Sequence, residues 1–259
     1  MLTLLNCDFY RFKKNRSFRS LYILISLLGL VLVLLLKNDI KLGISIIGSL
    51  TLFTSPQEVF MAGLDFRKGL GMIVAIMVTL FISEEFSCKT MKLKLIVKKS
   101  KYKIYFSKLI EAISIAISIV LVYEIVVIIG GLLGFYNIEE LVNIGNIGRL
   151  IIGILIYASI GAIICFINMF FQNMFTSIIV SLAYIILNDT FSSIIKIIFT
   201  RVNMESLGIM KLLLNTQTNN LYFEIKVINC FQSFLSFLLL TSVIVIVGGK
   251  IFESTDINS

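Results

Sequence analysis

The sequence predicts an all-α polytopic membrane protein with six transmembrane helices. Three observations predict it. First, 58% of the 259 residues are hydrophobic and only 15% are charged, against roughly half and a quarter in soluble domains; mean hydropathy is +1.00. Second, apolar runs approaching the ~20 residues needed to cross hydrocarbon recur along the chain. Third, the net charge of +8 is concentrated in a few short stretches. The absence of histidine excludes His-based acid/base catalysis, Ser-His-Asp and Cys-His nucleophiles and His-ligated zinc. Cys7, Cys88, Cys165 and Cys230 form no CxxC pair, so neither a disulfide framework nor a four-cysteine metal site is indicated.

Residues 1–16 place Leu2, Leu5, Phe9 and Phe12 at helical spacing, with Asp8, Arg11 and Lys14 away from them. This pattern predicts an amphipathic helix lying in the headgroup layer. Ser17–Leu36 is uncharged after Arg19 and reads as a retained first span, because no small-x-small cleavage site follows it. Leu42–Thr54 is apolar but too short to cross, and Pro56 ends it; it reads as an outer loop or interfacial helix. Gly69–Ser83 is a short second span whose helix is expected to begin near Leu64. Leu109–Leu133, Leu150–Phe171 and Val227–Val247 are the third, fourth and sixth spans. Thr176–Leu187 is too short alone. Either it extends through Asn188 and Asp189 toward Phe199, or it is kinked or partly re-entrant. The chain forms one membrane domain, 1–259, with no soluble domain.

Lys and Arg placement sets orientation. Fourteen of the 23 basic residues fall in the N-terminal segment, the loop between spans two and three, and the C-terminus; nine fall on the other side. Both termini and the Lys-rich loop are therefore expected to be cytoplasmic.

Polar residues in the spans are the remaining candidates. Glu111 has Lys108 three residues before it, a spacing that pairs them on one helix face. Glu124 lies 15 residues after Leu109, about 22 Å along the helix and past the midplane. An intramembrane carboxylate is a functional candidate by default; the alternative is an acid near the outer interface held by Tyr123 or a neighbouring helix. Asn168 and Asp189 are further pathway candidates, although such residues more often bind helices together. Gly130-x-x-x-Gly134 fits a close helix contact.

The Lys-rich loop carries a motif. Glu84-Glu85-Phe86-Ser87-Cys88-Lys89-Thr90-Met91-Lys92 is followed by an apolar–basic segment. Lysines alone would serve topology and anionic lipid; interleaved Met91, Leu93, Leu95 and Ile96 suggest docking into a partner's groove. The stretch from Glu85 resembles the Glu-Phe-Ser-x-Gly-Thr-x-Lys pattern of ABC-2 type transporter permeases, with Lys89 where that family has glycine. Ser100-Lys101 and Ser107-Lys108 match following positions. Leu4–Arg11 resembles the family's interfacial elbow helix, and Phe252–Ile257 its ending.

The resemblance implies that residues 84–108 are a cytoplasmic coupling segment with a short coupling helix. Glu84, Glu85, Thr90, Met91, Lys92, Leu95, Ser100 and Lys101 would couple to a separate ATPase, the two glutamates facing its basic surface or the chain's own lysines. It also implies an extracellular or re-entrant segment at 188–226. The partners would be ABC ATPase subunits, a second copy or a sibling permease, and the bilayer, with no nucleic acid. The chain would bind no cofactor and would not itself be an enzyme. ATP and Mg would sit on the ATPase, since Gly248-Gly249-Lys250 lacks the rest of a P-loop. Similarity to antimicrobial-peptide and lantibiotic immunity permeases suggests export of amphipathic peptides across a bacterial plasma membrane. The alternatives are a permease for lipid or another small amphiphile, and a non-transporting sensor or scaffold. Glu84-Glu85 also resembles the paired glutamates of CAAX-type membrane proteases, but those require histidine.

Overall fold

The computed structural model describes residues 2–38, 43–44, 50–51, 53, 55–88, 90–96, 100–137, 139, 141, 143–201, 213–223, 225 and 227–254. Ten α-helices are described. They are α1 (Leu2–Lys14), α2 (Arg16–Lys37), α3 (Pro56–Leu64), α4 (Leu70–Ser87), α5 (Thr90–Ile96), α6 (Lys101–Leu132), α7 (Ile144–Phe171), α8 (Met174–Arg201), α9 (Leu214–Asn220) and α10 (Val227–Ser254). Six of them, α2, α4, α6, α7, α8 and α10, contain segments long and apolar enough to span a membrane. The two-residue strands β1 (Gly43–Ile44) and β2 (Leu50–Thr51) pair antiparallel. That pair lies within the segment expected to be an outer loop or interfacial helix, most of which is outside the described residues.

α4, α6 and α7 form the interior, and α2, α8 and α10 pack around them with apolar faces outward. At 32 residues, α6 is about 48 Å long and meets α2, α4, α7 and α10. One end of the bundle, called proximal here, carries α1, α5 and the end of α10. The distal end carries α3 and α9. Of the Gly130-x-x-x-Gly134 pair, Gly130 abuts Val33 of α2, while Gly134 lies past the end of α6 at φ +73° with open space beside it.

The second span differs from expectation. It begins at Leu70, not near Leu64, and gains its length proximally by running through Glu84 and Glu85 to Ser87. The preceding residues form the separate helix α3. Ser55 accepts a hydrogen bond from the Glu58 amide at 3.3 Å, with Pro56 at the first helical position, the Ser-x-x-Glu and N1-proline combination that starts helices. Asp65 then ends α3, and its carboxylate accepts from the Arg67 amide at 3.0 Å, capping a 3-10 turn over Phe66–Lys68. Gly69 at φ +120° connects that turn to α4, a conformation side chains disfavour.

The fifth span takes the first alternative: α8 is continuous through Asn188 and Asp189 to Arg201. Residues 188–201 therefore extend a span rather than forming a separate hairpin. Residues 202–212 lie outside the described residues. α9 then packs on α7, α8 and α10 at the distal end.

Candidate functional site

A cluster of six charged side chains occupies the proximal end, built by α1, α4, α5 and α6. Lys108 of α6 is 0% exposed and uses its ammonium group on three acids: Glu111 at 2.5 Å, Glu85 at 2.6 Å and Asp8 at 2.9 Å. Lys94 of α5 reaches Asp8 at 2.9 Å and both oxygens of Glu85 at 2.9 and 3.0 Å. Arg11 of α1 pairs with Glu85 at 2.5 Å, donates to the Phe81 carbonyl at 2.9 Å and lies 3.9 Å over the Phe81 ring. Ser107 donates to Asp8 at 3.1 Å. Three cations thus face three carboxylates. That balance is what allows burial, because a charge without a partner in such a place is strongly destabilising.

The burial of Asp8 tends to raise its pKa, but Lys108 and Lys94 outweigh that and hold it below the ordinary aspartate value. This corrects the expected posture of the N-terminal helix. Asp8 is buried and Arg11 half-buried, while Phe9 and Tyr10 are exposed. α1 docks by its charged residues together with Phe12, whose ring packs 4.8 Å from Phe18 and 5.9 Å from Phe81. The side chains of Leu2 and Leu5 lie outside the described residues.

The eight coupling candidates divide between this interior and the surface. Glu85 is the hub of the cluster, so it faces the chain's own basic residues. Glu84, one residue earlier, is exposed and accepts from Asn15 at 3.4 Å. It borders a cleft of about 260 Å³ walled by Phe18, Leu21, Met77, Leu80 and Met174. Thr90 donates to the Glu85 carbonyl at 3.1 Å, fastening the start of α5 to α4. Met91 is buried in the core and Lys92 is half-buried. Leu93 and Ile96 are exposed, Ile96 by 74%. Ser100 caps α6 by accepting from the Lys103 amide at 3.4 Å, and Lys101 donates to the Glu253 carbonyl of α10 at 2.9 Å. Lys89 and the side chain of Leu95 lie outside the described residues, as do residues 255–259.

The three pathway candidates are not brought together. Asn168 is buried and fully engaged: it accepts from Ser83 at 3.0 Å and donates to Thr79 at 3.1 Å and to the Ile164 carbonyl at 2.8 Å. It binds α7 to α4. Asp189 is 61% exposed at the distal end and lies 3.4 Å from Arg67. Glu124 is buried between α6, α3 and α7, away from both other candidates.

A second polar network organises the distal end. The Arg67 guanidinium holds Asp65 at 2.9 and 3.0 Å, Asn215 at 2.7 Å and Asn219 at 3.0 Å, besides Asp189. Burial would lower the Arg67 pKa, but Asp65 and Asp189 raise it above its ordinary value. Tyr222 donates to Asp65 at 2.8 Å; burial and the Asp65 charge push its phenol up. This ties α9 and α8 to the break between α3 and α4.

Sequence reasoning did not single out Asp8, Lys94, Arg67 or Asp65. The available signal was charge balance: an acid inside a basic helix, and lysines and glutamates inside apolar runs, each require a partner. Among the described residues, no group of three or more His, Cys, Asp or Glu side chains is arranged to hold a metal ion. No protein-family model matches the chain, and no curated protein matches it.

Proposed function

We propose that the chain is the membrane permease subunit of an ATP-driven transporter of the ABC-2 type, worked by a separate ATPase. The observation that carries this reading is α5. It is a seven-residue helix outside the spans, with Leu93 and Ile96 exposed, and it is fastened through Lys94 to α1 and α4. A short helix with bare apolar side chains and a rigid mount suits docking into a partner's groove. The mount would carry any displacement of α5 into the spans rather than dissipating it in a loop. The Glu-Phe-Ser-x-x-Thr-x-Lys motif supports the same reading from the sequence.

On this reading the coupling surface comprises Leu93, Ile96 and exposed residues such as Glu84 and Ser100. Glu85, Met91 and Thr90 hold that surface in place. The charge asymmetry supports a cytoplasmic side for α1, α5 and both termini, and the sequence resemblance supports a bacterial plasma membrane. Hydrolysis of ATP with Mg belongs to the partner, and a second copy or a sibling permease would complete the pathway. ATP-driven rocking of the spans then alternates access. Amphipathic peptides are the proposed export substrate, on the sequence resemblance alone.

The test is co-purification from membranes with lipid-compatible detergent. The wild-type chain should bring down a P-loop ATPase. Leu93→Asp with Ile96→Asp should cut the recovered ATPase at least about tenfold, a loss of about 1.4 kcal/mol, with unchanged membrane insertion. A wild-type chain that never retains an ATPase would sink the transporter reading in favour of a sensor or scaffold.

A further inference from the structure

Glu124 is the buried acid that the proximal cluster leaves unpaired. It follows Glu111 by 13 residues on α6, about 20 Å along the axis. It is 1% exposed, and neither carboxyl oxygen has a hydrogen-bond partner. Its surroundings converge on Gly63 of α3. A β-carbon on Gly63 would collide with Glu124 Oε1 and the Tyr123 ring, so α3 approaches closely only because that residue is glycine. Tyr157 of α7 donates to the Gly63 carbonyl at 2.9 Å, and Tyr123 donates to the Val59 carbonyl at 3.1 Å. Two hydroxyls near the carboxyl are thereby committed to the backbone of α3.

The other groups around it supply no counter-charge. Tyr136, beyond the end of α6, donates to the Val127 carbonyl. α2 meets this part of α6 through Gly29 and Val33. Asp65, beyond Gly63, is engaged by Arg67 and Tyr222. Lys37 lies over Phe135, and Lys68 over Phe53 and Tyr222. Among the described residues no Lys or Arg pairs with Glu124. An ionised carboxylate walled in this way would cost far more free energy than the neutral acid. α3 is a distinct helix, bounded by Pro56 on one side and by Asp65 and the positive-φ Gly69 on the other, and its residues Val59–Leu64 are buried over Glu124 and its neighbours.

We propose that Glu124 is a proton-binding site whose occupancy is set by the docking of α3. With α3 docked, as in this structure, the carboxyl holds its proton and is neutral. When α3 withdraws, the Tyr123 and Tyr157 hydroxyls are released from Val59 and Gly63 and become donors to the carboxylate, and the proton passes to water at the distal end. The coupling is reciprocal: removing the proton weakens α3 docking. Glu124 thus takes a proton rather than a transported solute. The inference does not depend on an ATPase partner.

The experiment compares wild type with Glu124→Gln in lipid nanodiscs from neutral to alkaline pH. Infrared difference spectra report the protonated carboxyl stretch, and amide hydrogen exchange reports α3. Wild type should show a protonated-carboxyl band at neutral pH that the Gln variant lacks. As that band declines with rising pH, exchange across α3 should exceed that of the Gln variant at the same pH by about tenfold, within the range of linked equilibria. Gly63→Ala, which keeps the acid and both tyrosine donors but crowds α3 away from them, should shift the decline of the band to lower pH. No such band at neutral pH, or α3 exchange that is the same in wild type and Glu124→Gln throughout, would overturn the proposal, as would a Gly63→Ala band that declines where the wild type does.

Discussion

Glu111 and Glu124 sit on one helix, equally buried, in opposite circumstances. Glu111 belongs to a cluster in which three cations answer three acids, recruited from four helices. Glu124 has no cation and no hydrogen bond. The difference shows two ways a membrane protein can bury a carboxylate. Matched charges fasten elements together permanently, because separating them strands an ion in an apolar interior. A lone acid has no such anchor, and on the proposal above its state depends on what covers it. The proximal end is thus built as a charged joint, whereas at the distal end one helix covers a lone acid.

Breaking the joint should have the largest effect. Lys108→Met leaves Glu111 without a cation and takes one cation from Asp8 and Glu85, which keep Lys94 and, for Glu85, Arg11. It should destabilise the protein by about 3–5 kcal/mol, read as a large fall in thermal midpoint in detergent. Adding Glu111→Gln should restore part of the loss. A Lys108→Met protein as stable as wild type would show that the cluster does not hold the fold together.

Forcing the distal helix away should cost less. Gly63→Ala places a methyl group against Glu124 and Tyr123, and overpacking of this kind costs about 1–3 kcal/mol. The expected signature is faster hydrogen exchange confined to α3, with the exchange of α1 and α5 unchanged. Equal loosening at both ends would remove the contrast between them.

Acid should act weakly and only at the joint. The folded-state pKa of Asp8 lies below its ordinary value, so protonation favours the undocked helix. Its contribution is complete above the ordinary carboxylate range and is lost as pH falls through the lowered folded value. α1 should therefore gain protease accessibility in acid, and Asp8→Asn should abolish that pH dependence. The effect is the smallest of the three, since Lys108 retains Glu85 and Glu111. Loosening of α1 with rising pH instead would contradict the ion pairs described for Asp8.

The spans were legible because crossing an apolar layer is a local demand on about 20 consecutive residues. The start of α4 was misplaced because Gly69–Ser83 is short for a span and is expected to gain its length upstream, near Leu64, whereas a carboxylate cap and a positive-φ glycine break the helix there. α8 left its alternatives open because Asn188 and Asp189 interrupt its hydropathy; the helix tolerates them at its distal end, where Asn188 is buried and Asp189 meets Arg67. In the coupling segment, periodicity marked Met91, Leu93 and Ile96 alike as apolar, but only packing separated buried Met91 from its exposed neighbours.

By itself the sequence determined the helical class, the number of spans, the concentration of basic charge and the pairing of Lys108 with Glu111, all of which follow from composition and near-neighbour spacing. Only the tertiary structure decided that Asp8 turns inward to meet residues 86 to 100 positions away, that Glu85 is a hub while Glu84 faces out, and that Glu124 meets a glycine instead of a cation. Those outcomes depend on which helices lie side by side. Side-chain spacing sets the partners within a helix, but only the packing of helices sets the partners between them.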